Sequence, residues 1–126
     1  MVARAVWAAC ESRLAAKTRI TEGFSNEVYA VTAEDGQRVV VRIHWHGSPH
    51  FHAERWALTR CAERGLPTPR VLLLHADAST EPPHDICVET YIEGKTLHAL
   101  IKAGKLAVAG ARPILVETGR LLARLH

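Results

Sequence analysis

Gly23-Phe24-Ser25-Asn26-Glu27-Val28-Tyr29-Ala30-Val31, followed by Val39-Val40-Val41-Arg42-Ile43, decides how this chain is read. The stretch predicts a strand ending in a small-residue turn, a second strand, a hairpin turn at Glu34-Asp35-Gly36, and a third strand with one inward-facing cation. A glycine-containing turn lets backbone N–H groups lie along a polyphosphate, because no side chain blocks the approach. A fixed cation on the next strand can then neutralise phosphate charge. Ser25 and Asn26 add short polar side chains at Gly23, although the turn taken alone also suits an ordinary hairpin. Arg42 alternates with Val41 and Ile43, so it shares a face with Val40 and His44. A guanidinium among β-branched residues needs a partner, since burying it unpaired is expensive. Glu54, on the helix expected next, is the natural candidate, with solvation of either group as the alternative.

Outward from this core, an alanine-rich segment at residues 3–16 has apolar residues at helical spacing. Strands are expected at 19–24, 27–33 and 38–44, and a helix from about 50 to 64 that Gly65-Leu66-Pro67 ends. Residues 71–75 and 86–91 read as two further strands around a polar loop. Thr96 suits the cap of a short helix, and Pro113 the first turn of a final helix over 109–126. The order α-βββ-α-ββ-αα, joined mainly by hairpins, predicts an α+β fold with a five-stranded, mostly antiparallel sheet and a packed helix.

With 126 residues the chain is one domain by length, and 48% hydrophobic and 23% charged residues are ordinary for a soluble globular protein. A formal charge of +3, spread from Arg4 to Arg124, gives no basis for nucleic-acid or membrane binding. No apolar run reaches membrane-spanning length. Cys10, Cys61 and Cys87 read as reduced thiols, so a cytoplasmic location is expected.

The order of these pieces resembles the aminoglycoside phosphotransferase family, small-molecule kinases of protein-kinase-like fold related to choline and homoserine kinases. The resemblance rests on Gly-Phe-Ser-Asn at 23–26, Val-Val-Val-Arg at 39–42 and the helix segment at 52–58. Gly65-Leu66-Pro67-Thr68-Pro69-Arg70-Val71-Leu72, Glu89-Thr90-Tyr91-Ile92-Glu93-Gly94-Lys95-Thr96-Leu97 and the closing Leu121-Leu122-Ala123-Arg124-Leu125-His126 complete it. It implies a nucleotide-binding lobe over residues 1–93, and a linker with the first helices of a second lobe over 94–126. It further implies ATP and Mg²⁺ as cofactors, with phosphoryl transfer to an aminoglycoside-like or other small-molecule hydroxyl. Gly23, Ser25 and Asn26 would face the phosphates, and Arg42 and Glu54 would form the strand–helix ion pair, Arg standing where the family's relatives in the protein kinases carry Lys. The Thr90 carbonyl and Ile92 N–H would meet the adenine edge. Val40 and Val71 are candidates to pack on the base.

The same resemblance calls for a catalytic aspartate in a His-x-Asp segment and a metal-binding aspartate beyond it. Asp35, Asp77 and Asp85 are the only aspartates, and none sits in such a motif. The Mg²⁺ ligands are therefore expected in a second lobe, and the 126 residues are expected to be inactive by themselves. A non-catalytic nucleotide-binding or interaction module is the alternative. Eight histidines, with His44-x-His46 and His50-x-His52 close together, suit imidazole ligation, but no Cys or free carboxylate completes a metal site. Trp7, Trp45 and Trp56 read as core or interface aromatics. Leu115, Leu122 and Leu125 form an apolar stripe on the final helix, which predicts self-association if nothing covers it.

Overall fold

The computed structural model describes residues 1–21, 26–45 and 50–125. Helix α1 (Val2–Cys10) precedes strands β1 (Leu14–Ile20), β2 (Glu27–Ala33) and β3 (Arg38–Trp45). Helix α2 (Phe51–Glu63), strands β4 (Val71–Asp77) and β5 (His84–Thr90), and helix α3 (Leu97–Lys102) follow. A 3-10 turn at Val108–Ala111 leads into helix α4 (Arg112–Ala123). The strands form one five-stranded sheet in the order β1-β2-β3-β5-β4, and every neighbouring pair is antiparallel.

Alternation along the central strands divides their side chains between two faces. One face carries Val31, Val39, Val41, Ile43, Ile86 and Val88, which close on Val2, Ala5 and Val6 of α1 to form the core. On the other face the register aligns three cross-strand rows. These are Ala30–Val40–Glu89–Val71, Val28–Arg42–Cys87–Leu74, and a row in which His44 stands between β2 and Asp85–Ala76. Val28, Ala30, Val40 and Val71 are only half-buried.

The beginning of the chain departs from expectation. The helix ends at Cys10, Glu11 turns left-handed at φ 54°, and the first strand starts at Leu14 instead of Arg19. Pairing of Leu14–Ile20 along β2 outweighs the helix propensity of Ala15 and Ala16. The Arg13 carbonyl also accepts a hydrogen bond from the Glu34 N–H at 2.8 Å, stitching this bend to the β2–β3 turn. Strands β4 and β5 each begin or end two residues into the expected polar loop, which places Asp85 on a strand. Trp7 and Trp56 are exposed, so neither belongs to the core, whereas half-buried Trp45 donates from Nε1 to Glu27 Oε2 at 3.0 Å.

Local signals at the element ends do their expected work. Gly65 takes φ 70°, its N–H donates to Ala62, and the Leu66 N–H reaches back to the Cys61 carbonyl at 3.0 Å. That is a Schellman closure, completed by burial of Leu66. Thr96 Oγ1 accepts from the Ala99 N–H at 3.1 Å and caps α3. Pro113 lies in the first turn of α4.

Candidate functional site

Strand β3 is central and its odd-numbered residues fill the core, so Arg42 must project from the opposite face. Its Nη1 lies 2.5 Å from Glu54 Oε1, in the first turn of α2, and 3.5 Å from Glu89 Oε2 on the neighbouring strand. The guanidinium also stands 5.1 Å from the ring of Phe51, which is buried. Phe51 packs edge-on to His44 with ring centroids 6.4 Å apart, anchoring the start of α2 to β3. Burial works against the Arg42 charge, but the Glu54 hydrogen bond and the two carboxylate charges outweigh it and hold its pKa above the usual value. Its side chain is 19% exposed and that of Glu54 37%, so the pair sits at the edge of a water-accessible surface.

Glu89 is the group the sequence reading missed. Its side chain is only 13% exposed, and burial pushes its carboxyl pKa up; Arg42 opposes that rise and Glu54 adds to it. Cys87, beside Arg42 in the same row, is buried, and its thiol is pushed up to about 12, chiefly by burial. The signal was present in Ile86-Cys87-Val88-Glu89: a carboxylate closing an apolar strand, on the face opposite Val88.

Gly23 and Ser25 lie outside the described residues. Asn26 follows them, and its Oδ1 meets His44 Nδ1 at 3.0 Å, which places it on the Arg42 face. At the far end of β5, the Thr90 N–H donates to the Arg70 carbonyl at 2.9 Å, while Thr90 Oγ1 accepts the Arg70 N–H at 2.9 Å. The side chain thus takes a bond that a carbonyl takes in a regular ladder. Among the described residues, neither the Thr90 carbonyl nor the Ile92 N–H has a hydrogen bond outside the strand ladders. The linker beyond Thr90 is held by Arg38. Its carbonyl accepts the Tyr91 N–H at 3.2 Å, its guanidinium stacks 3.9 Å from the Tyr91 ring, and it pairs with Glu93.

Among the described residues no group of three or more His, Cys, Asp or Glu is placed to hold a metal ion; His46 lies outside them. Asp35 is in the β2–β3 turn, Asp77 ends β4 and is hydrogen-bonded by Ser79, and Asp85 faces His44 across the strands. A cavity of about 400 Å³ lies on the α1 side, lined by Arg4, Leu73, His75, His84 and Ile86, and shares no residue with the Arg42 face.

An antiparallel five-stranded sheet whose central-strand cation pairs with a carboxylate on the following helix defines the amino-terminal lobe of a kinase-like fold. Residues 17–126 match the model of the phosphotransferase enzyme family, and the chain belongs to that family. A comparison with curated proteins finds no match to the chain.

Proposed function

We propose that the Arg42 face is one wall of an ATP site, serving phosphoryl transfer to a small-molecule hydroxyl, an aminoglycoside or a metabolite. The observation that carries this reading is the Arg42–Glu54 pair at the edge of a half-buried apolar strip. The strip of Val28, Ala30, Val40 and Val71 suits the flat, apolar faces of a purine. The Thr90 carbonyl would accept from the amine of adenine and the Ile92 N–H would donate to a ring nitrogen. Arg42 would meet the phosphates, oriented by Glu54, and Gly23, Ser25 and Asn26 would supply further groups to them. This assigns residues 1–93 to nucleotide binding and 94–126 to the linker and the start of a second lobe.

The described residues do not make a Mg²⁺ site. Glu54 and Glu89, the carboxylates nearest the proposed phosphates, are both turned to Arg42. None of the three aspartates reaches that guanidinium. The chemistry that activates an acceptor hydroxyl is therefore assigned to groups other than these 126 residues, which should bind nucleotide without turnover. Calorimetric titration of ATP into the chain, beside a phosphorylation assay over a panel of aminoglycosides and hydroxylated metabolites, tests both halves. Saturable binding without product is expected; absence of binding overturns the nucleotide assignment, and product formation overturns the assignment of the chemistry elsewhere.

The apolar side chains of α4 suit a second protein surface. Ile114, Leu115, Val116 and Leu122 are exposed, and no residue of α4 is buried. In the proposed account this helix lies against the remainder of a second lobe, and in the isolated chain against a second copy.

A further inference from the structure

Among the described residues, Glu89 Oε2 is the only buried side-chain oxygen or nitrogen without a hydrogen-bond partner. It lies 3.5 Å from Arg42 Nη1, the same nitrogen that meets Glu54 Oε1 at 2.5 Å. Two carboxylates thus converge on one cation, and the cluster is one negative charge in excess when both are ionised. The groups facing Glu89 are Arg42 and Val40 from β3, Val71 from β4, Glu54 from α2 and the uncharged Cys87 thiol from its own strand. Among the described residues, Arg42 is therefore the one cation that opposes ionisation costs at Glu89.

A polyphosphate binding at Arg42 changes that balance. It competes for guanidinium N–H groups and adds negative charge beside a carboxylate that burial already disfavours. Resting on the ATP reading above, we propose that Glu89 is a positioning residue that shares Arg42 with Glu54, and that its carboxylate takes a proton from solvent when the phosphates of ATP engage Arg42. On release of the nucleotide, Arg42 returns to Glu89 and the proton goes back to solvent. Proton uptake on binding means that ATP affinity falls as pH rises, by at most about tenfold per pH unit, through the window between the free and bound titrations of Glu89.

Two measurements test this. In the nucleotide-free chain, the carboxyl carbon of Glu89 is followed by NMR as pH changes. Arg42→Gln should move its titration to higher pH, and an unmoved titration overturns the positioning role. Second, ATP is titrated calorimetrically in buffers of different ionisation enthalpy. The native chain should take up more protons on binding than Glu89→Gln, whose fold is checked by its NMR spectrum. Protons exchanged by ATP itself are common to both chains and cancel. Saturable binding with equal proton exchange in the native chain and in Glu89→Gln overturns the proton claim. A titration with no saturable heat instead overturns the ATP reading, and this proposal with it.

Discussion

Arg42 and Glu54 join the central strand to the start of α2 through a 2.5 Å contact between Nη1 and Oε1. The contact lies on the face of the sheet opposite α1 and, with the Phe51–His44 packing, ties the first turn of α2 to β3. Arg42→Ala should cost about 1–3 kcal/mol of stability, between the values for exposed and fully buried pairs, because Glu89 and Glu54 are left without their cation. Urea denaturation of the native and substituted chains measures it. In the same variant ATP affinity should fall at least about tenfold, one charge-assisted hydrogen bond's worth.

Glu89 has its carboxyl pKa raised by folding, so its contribution to stability has a definite sign. That contribution is fully present below the ordinary carboxylate range and is lost as pH rises through the raised native value. Glu89→Gln should therefore gain stability relative to the native chain as pH climbs through that window, with a constant difference above the raised native value. Melting temperatures of both chains across pH 4–8 would show it; parallel curves would contradict it.

Gly65 holds φ 70° at the end of α2, a conformation that side-chain-bearing residues adopt at a cost. A Cβ built there meets no other atom, so the penalty is one of backbone conformation alone. Gly65→Ala should lose about 1–2 kcal/mol by urea denaturation. A neutral result would mean that the Schellman closure relaxes without cost.

Leu115 and Leu122 are 58% and 53% exposed on α4. Concentration-dependent association is the expected behaviour of the isolated chain, and replacing both by Glu should reduce it. Sedimentation velocity over a hundredfold concentration range is the check, with an unchanged monomer at every concentration as the contrary outcome.

Much of the fold was legible because its signals are local. The β-branched run at Val39–Val41, the Gly-Leu-Pro stop after α2, the Thr96 cap and the Pro113 start each act over a few residues. The end of α1 was not legible, since Ala15 and Ala16 favour a helix and only the pairing of Leu14 and Ala16–Ile20 with β2, with Ala15 bulged out of register, makes the segment strand. The Arg42–Glu54 pair could be anticipated because a lone inward cation demands a partner and the next helix supplies one. Glu89 was legible only as a carboxylate on an apolar strand; its approach to Arg42 depends on β5 inserting between β3 and β4, a register that short-range pattern does not specify.

Backbone and methyl NMR spectra recorded while ATP is added to the chain test the central claim most directly. Shifts should concentrate on Val28, Ala30, Val40, Arg42, Thr90 and Ile92, and spare Val2, Val6, Val41 and Val88 in the core beneath α1. Shifts confined to the α1 side, around Arg4, His75 and His84, or no shifts at saturating ATP, would contradict the assignment of the Arg42 face to the nucleotide.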